Sequence, residues 1–311
     1  MLTLTDFKDV IEQQVRHNQS QSLFYEFANG RLALSPSKET TDFLKRRSHD
    51  IVKFLQQTHE AGTLQLLAND MSDQTIQLFI KVNQYLDFSR QDYRRLQKMY
   101  SDLLKRVYLM GKQEEISNQD IEQLFSSHYK NLQTFLLDSN GEEIFKKYKE
   151  NPNVFAVECS EYTSDLQMRL FNINLSAIKT PLLDIGCGQQ ASLVRFLRKN
   201  AVESYGIDRN VENIAGLHKA NWFEYKFTPN TWGTIISHMA FSNHFIHHHL
   251  RLDGDYKKYA EKYMEILKSL KLGGSFIYAP SLPFIEQVIL HADRNFIVKN
   301  MQHATKVIRV K

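Results

Sequence analysis

"PLLDIGCGQQASLVRFL", residues 181–197, joins an apolar run to a glycine turn, and the turn to an amphipathic segment. Leu182, Leu183 and Ile185 suit a strand buried on both faces, and "SLVRFLRKN" (192–200) suits a helix. Glycines at 186 and 188 permit a tight turn and the close approach of a ligand to backbone. A second short strand, "ESYGID" (203–208), ends in Asp208, 20 residues beyond Gly188. An acidic residue there accepts hydrogen bonds from both hydroxyls of a ribose, and the spacing is that of a βαβ nucleoside site.

The rhythm continues to the end of the chain. "NVENIAGLHKA" (210–220) reads as a short helix, and "WFEYKF" (222–227), "WGTIISH" (232–238) and "GGSFIYAP" (273–280) read as strands. "DYKKYAEKYMEILKSLK" (255–271) is a long amphipathic helix with Tyr259, Tyr263, Ile266, Leu267 and Leu270 on one face. "NFIVKN" and "TKVIRV" are closing strands. Strands alternating with helices predict an α/β fold with a doubly wound, mostly parallel sheet.

The first half reads differently. Only Gly30, Gly62, Gly111 and Gly141 precede residue 150, and helical periodicity covers about 4–17, 38–59, 73–86 and 90–110. In "NQDIEQLFSSHYKNLQTFLLD", Ile121, Leu124, Phe125, Leu132, Phe135 and Leu136 form one apolar stripe, with Ser117 placed as cap and Asp120 three residues on. The polar stretch 139–153 ends in Asn-Pro-Asn and marks a boundary. We therefore expect an all-helical N-terminal domain (1–150), acting as a lid or substrate wall, before the α/β domain (151–311).

Composition sets outer bounds. Of 311 residues 42% are hydrophobic and 24% charged, which is ordinary for a globular chain. A net charge of +4 does not by itself argue for nucleic acid. Two cysteines, Cys159 and Cys187, make no disulfide framework. The first 17 residues lack the apolar core of a signal peptide. No stretch approaches the roughly 20 apolar residues of a membrane helix. The expectation is a soluble, cytoplasmic protein with no membrane partner.

The ordered set Asp184, Gly186, Gly188 and Asp208, followed by "LKSLKLGGSFIYAP", resembles the class I, Rossmann-like S-adenosylmethionine-dependent methyltransferases over roughly 155–311. The resemblance implies S-adenosyl-L-methionine as cofactor. It places Asp184 near the amino-acid part of that molecule, Gly186 and Gly188 along it, and Asp208 on the ribose. Two positions depart from the family pattern. Gln190 stands where many members have a third glycine, and the acidic residue expected near the adenine amine has only Glu224, or a backbone group, to replace it. In "ECSEYTSDLQMRLF" (158–171), the segment before the first strand, Glu161, Tyr162 and Gln167 are expected to line the site; the other reading is an amphipathic connecting helix. Binding of a nicotinamide dinucleotide is the competing use of the turn. The turn lacks Gly-x-Gly-x-x-Gly, although the Ala at 191 is tolerated at the third place.

"SHMAFSNHFIHHHL" (237–250) follows the presumptive fourth strand and holds His238, His244, His247, His248 and His249. Ligands bind beyond the carboxyl ends of such strands. Ser242, Asn243 and His244 are therefore the catalytic candidates. Asn243 would orient an acceptor and His244 take its proton; each also has a structural reading, as a helix cap and a packed ring. His244 and His248 share a helix face, but no third metal ligand and no metal motif accompanies them, so no metal is expected. A helix C-terminus, where partly positive imidazoles suit the dipole, accounts for the later histidines.

Three functions fit. The first is methyl transfer to N or O of a small metabolite. The second is aminocarboxypropyl transfer or ring closure of the cofactor, releasing methylthioadenosine, as in nicotianamine synthases and azetidine-carboxylate-forming enzymes. The third is RNA methylation. Residues 90–112 carry basic side chains well in excess of Asp92 and Asp102, interleaved with Tyr93, Tyr100 and Tyr108. A small-molecule substrate is the leading expectation.

Overall fold

The computed structural model describes residues 2–18, 21–24, 34–146, 149 and 161–311. Cys159 and the first residues of the 158–171 segment lie outside these. The chain divides into two compact units, Met1–Cys159 and Ser160–Lys311.

The first unit is helical throughout its described elements: α1 (Leu4–His17), α2 (Lys38–Arg46), α3 (Ser48–Glu60), α4 (Leu64–Val82), α5 (Arg90–Gly111) and α6 (Asn118–Asn140), then a short 3₁₀ turn. Its starts are written in the sequence. Thr3, Ser89 and Ser117 each cap a helix whose third residue, Asp6, Asp92 or Asp120, bonds back to the cap. Ile51, Leu96, Leu104, Ile121 and Phe135 are fully buried in its core. The segment expected as one helix over 38–59 breaks at Arg47, whose backbone leaves helical geometry. The helix expected over 73–86 begins earlier, at Leu64. There Leu67, Ala68 and Met71 extend its buried stripe.

The second unit carries β1 (Leu182–Ile185), β2 (Ser204–Asp208), β3 (Leu217–Lys219), β4 (Trp232–His238), β5 (Leu270–Ala279), β6 (Phe296–Asn300) and β7 (Thr305–Arg309). They form one sheet in the order β3-β2-β1-β4-β5-β7-β6. β1 to β5 run parallel, and β7 is antiparallel to both β5 and β6. Its helices are α7 (Ser164–Leu170), α8 (Ser192–Lys199), α9 (Phe241–Leu250), α10 (Tyr256–Ser269) and α11 (Pro283–Ala292).

Successive residues of the central strands enter opposite cores, as the pleat requires. Leu183, Ile235 and Phe276 pack in one core with Phe241, Tyr259, Tyr263 and Ile266. Leu182, Ile236 and Ile277 pack in the other with Phe171, Leu193 and Leu197. Both faces are covered, which is why these strands read as continuous apolar runs. The expected fold, a Rossmann-like doubly wound sheet preceded by a helical region, is the fold observed. The strand order reverses between β1 and β4, so a crevice opens beyond their carboxyl ends.

Two local expectations are corrected. Residues 210–220 form no helix: Gly206 N donates to Gly216 O, Gly216 takes φ +73°, and β3 follows directly on β2's edge. Residues 222–227 form no strand but a turn, with Glu224 N and Tyr225 N both donating to Asn221 O. Their aromatic rings pack instead on helices, Phe223 on Tyr259 at 4.8 Å and Trp222 on His244 at 4.9 Å. Ring burial against helices has overridden strand propensity.

A buried polar relay ties α11 to the sheet. Glu286 Oε1 accepts from Leu282 N at 2.6 Å and from Tyr278 Oη at 2.8 Å, and Tyr278 Oη lies 2.9 Å from Tyr263 Oη. Glu286→Ala is expected to lower the stability of the second unit by about 3 kcal/mol in urea denaturation, because a buried donor loses its acceptor. Glu286→Gln, which retains an acceptor oxygen, is expected to cost less.

Candidate functional site

The site is built where β1 meets its glycine turn. Gly186 and Gly188 adopt φ +77° and +74°, a region that favours glycine. A Cβ on Gly186 would fall 2.2 Å from Cβ of Ala240, the residue two beyond β4. The turn after β1 and the turn after β4 therefore touch, and only hydrogen at 186 allows it.

Asp208, at the end of β2, fastens the turn from the other side. Its carboxylate accepts from Gly188 N at 3.1 Å and from Asn210 N at 2.8 Å. Burial raises its pKa, against the lowering effect of those two bonds. Glu161 approaches from the segment before β1. Its Oε1 accepts from Gln189 N at 2.7 Å and Gln190 N at 3.3 Å. The backbone amides ahead of α8 are thus already held by a carboxylate of the chain itself.

Asp184 lies on β1 opposite Gly206 of β2 and is 2% exposed. No hydrogen bond to a described residue engages its carboxyl group. Burial first, and the negative charge of Asp208 second, push its pKa up to about 7. Cys187, in the same turn, has its thiol pushed far up by burial and by the charges of Asp184, Asp208 and Glu161, and is an unreactive thiol. Three carboxylates therefore act on one turn, and a buried carboxylate without a partner calls for a cation.

At the far wall stand two groups that sequence reading did not select. His238 ends β4, with its ring 4.2 Å from that of Tyr162 and 5.4 Å from Phe171. Its Nδ1 is buried without a hydrogen bond, and burial lowers its pKa, so the ring is neutral at pH 7. Trp222 lies under the glycine turn, with a ring carbon 4.0 Å from the Cβ position of Gly186, and its Nε1 is buried without an acceptor. A histidine closing the strand beside a glycine turn was a visible signal for the first. Nothing local in the sequence marks the second.

The residues expected to be catalytic sit on α9. Ser242 is fully buried and its hydroxyl donates to Ala279 O at 2.7 Å, which holds the helix to the end of β5. Asn243 donates through Nδ2 to Met239 O at 3.1 Å, steadying a residue with φ +54°. His244 is 4% exposed, packs edge-on against Trp222, and has its pKa held well below the usual range by burial. Tyr162 is brought to the crevice through His238, and Gln167 Nε2 donates to Tyr162 O at 3.1 Å. Glu224 lies on an exposed turn. His247 and His248 have pKa values lowered to about 4, by burial first and then by Arg251. Neutral rings at His247 and His248 do not serve the helix dipole. His248 stacks on Tyr259 and His249 on Phe284. Among the described residues, no three His, Cys, Asp or Glu side chains are grouped to hold one metal ion.

No family model matches the chain, and no curated protein matches it. Solved structures do. The N-methyltransferase NodS from Bradyrhizobium japonicum WM9 is 12% identical, covering 48% of this chain and 94% of its own, with a TM-score of 0.32. The Burkholderia thailandensis 1,6-didemethyltoxoflavin-N1-methyltransferase, solved with 1,6-didemethyltoxoflavin and S-adenosylhomocysteine, is 12% identical over 49% of this chain and 80% of its own, with a TM-score of 0.34. The plantazolicin methyltransferase BpumL, solved with SAH, is 12% identical over 48% of this chain and 81% of its own, with a TM-score of 0.33. Likenesses of this size leave the chemistry to the residues of this chain.

Asp184 supplies a test of the site's charge. Its pKa is about 7 in the folded chain against an ordinary 3.8. The folded state binds the extra proton between those values, so stability is full below about pH 4 and is lost as pH rises through about 7. Asp184→Asn removes this loss. Without ligand, the variant is expected to melt at least about 2 °C above the wild type at pH 8 and to converge with it near pH 4, by calorimetry.

Proposed function

We propose that the second unit binds S-adenosyl-L-methionine and transfers its methyl group to N or O of a small molecule. The observation that carries this reading is the gathering of Glu161, Asp184 and Asp208 on the glycine turn. In a dinucleotide site the amides at the start of the following helix hold the pyrophosphate. Here Glu161 already occupies them, and a pyrophosphate would meet three carboxylates. A ligand with a sulfonium and an ammonium meets the charge it needs.

When bound, the cofactor supplies a methyl group made electrophilic by a positively charged sulfur. Asp208 accepts hydrogen bonds from the ribose hydroxyls. Asp184 and Glu161 face the cationic amino-acid part, and the approach of the cation favours the ionised form of Asp184. Gly186 and Gly188 keep the floor of the crevice free of side chains. Trp222, through its unpaired Nε1, and Glu224 serve the adenine. Neutral His238, beside Tyr162, is the group able to accept a proton from an acceptor at the end of β4. Ser242, Asn243 and His244 position the loop that carries this edge of the crevice. Orientation of an acceptor against the methyl group accounts for most of the rate.

Isothermal titration is expected to show S-adenosylmethionine binding that tightens as pH rises through about 7, and no binding of NAD. Asp208→Ala is expected to weaken cofactor binding at least about tenfold, the worth of hydrogen bonds to a charged acceptor. Unchanged affinity would overturn the assignment. Mass spectrometry of turnover mixtures with a small-molecule extract is expected to show S-adenosylhomocysteine. Methylthioadenosine in its place would mean that the aminocarboxypropyl carbon is attacked instead. His238→Ala is expected to lower turnover about a hundredfold for a protonated acceptor and to remove the lower limb of its pH profile.

A further inference from the structure

The helical unit contains a cavity of about 260 Å³ lined by residues of its own, drawn from between Phe7 and Phe145 in the chain. Helical cores are normally packed with few voids larger than one water. A void this size is larger than an engineered apolar cavity of about 150 Å³ that stays dry and takes up benzene. Its walls come from α1, α2, α4, α5 and α6, with Ile11, Leu44, Met71, Leu103, Val107 and Leu132 representative of the lining. Among the described residues, no Asp, Glu, Lys or Arg lines it.

Three of the polar side chains in the lining form one group. Tyr100, His128 and Tyr129 adjoin one another, with ring centroids 5.1 Å apart for Tyr100–His128 and 6.1 Å for His128–Tyr129. Tyr100 Oη and Thr75 Oγ1 satisfy each other at 2.5 Å. Tyr129 Oη accepts from Asn18 Nδ2 at 3.0 Å and Gln14 Nε2 at 3.2 Å. His128 differs. It is 6% exposed, and no hydrogen bond to a described residue engages its ring. Burial lowers its pKa to about 4, so at pH 7 it is neutral and offers one donor and one acceptor. A buried polar ring without a partner on the wall of an apolar cavity is a place kept for a polar atom of a ligand.

We infer that this cavity binds a neutral, chain-like apolar molecule with one hydroxyl or carbonyl group, the polar group meeting His128 and the chain lying among the aliphatic walls. An ionised carboxylate or phosphate is disfavoured, because no described residue of the lining is a cation that would offset its desolvation. The inference rests on residues of the helical unit alone and is independent of the cofactor reading.

The test is calorimetric titration of the full chain with 1-hexanol, 1-octanol and octanoate at pH 8. One-to-one saturable binding of the alcohols is expected, tightening about fourfold per added methylene, the yield of burying each CH₂ group. Octanoate is expected to bind at least about tenfold more weakly than 1-octanol. Val107→Phe, which intrudes on the cavity, is expected to weaken binding of 1-octanol more than that of 1-hexanol, and His128→Phe to weaken both about tenfold. Absence of saturable binding to the wild type would overturn the inference, as would octanoate binding as tightly as 1-octanol. If either variant fails to fold, the wild-type series decides alone. None of these outcomes depends on S-adenosylmethionine.

Discussion

A carboxyl group buried in the middle of a parallel sheet, with no hydrogen bond from a described residue to hold it, is the constraint on which the second unit turns. Asp184 occupies a β1 position whose neighbours Leu182 and Leu183 are fully buried. Replacing it by an apolar residue would suit the sheet better. Its burial, and the second carboxylate of Asp208 nearby, raise its pKa to about 7. The free protein keeps this buried acid, partly protonated near neutral pH, at the point where two strands part. Such a cost is characteristic of a ligand site rather than of a packed core.

The surrounding geometry keeps that charge accessible. Parallel pairing of β1 with β2 and with β4 sends their neighbouring strands to opposite sides. The turns after β1 and β4 can then meet at Gly186 and Ala240 with no side chain between them. Asp208 fastens the turn at Gly188, and Glu161 fastens the next two amides. These contacts use the backbone donors that an anionic ligand would need. The sign of the site's preference follows from which amides are left over, not from the glycine turn itself, which dinucleotide enzymes also use.

Much of this was legible before any coordinates. Leu182 to Ile185, the paired glycines and Asp208 all mark local events: a strand, a positive-φ turn, a strand end. The capping pairs Ser117–Asp120 and Thr3–Asp6 mark helix starts just as locally. Residues 210–227 were not legible. Their periodicity suggested a helix and then a strand, whereas Gly216 takes a positive φ and the aromatic rings are claimed by α9 and α10. The residues after β4 make contacts that their spacing does not announce. Ser242 and Asn243 bond to Ala279 and Met239, and His244 meets Tyr259 Oη and packs on the ring of Trp222.

The sequence by itself determined the alternation of strands and helices, the glycine turn and the acidic residues beside it. Each of these depends on neighbours within a few residues or on a fixed repeat. Only the tertiary structure decided that Glu161 takes the amides at 189 and 190, and that Asp184 is left unpaired. The same holds for the unpartnered nitrogens of His238 and Trp222 at one crevice, and for His128 at an uncharged cavity. Those facts join residues that are distant in the chain, and a hydrogen bond that is missing can be recognised only once every neighbour is in place.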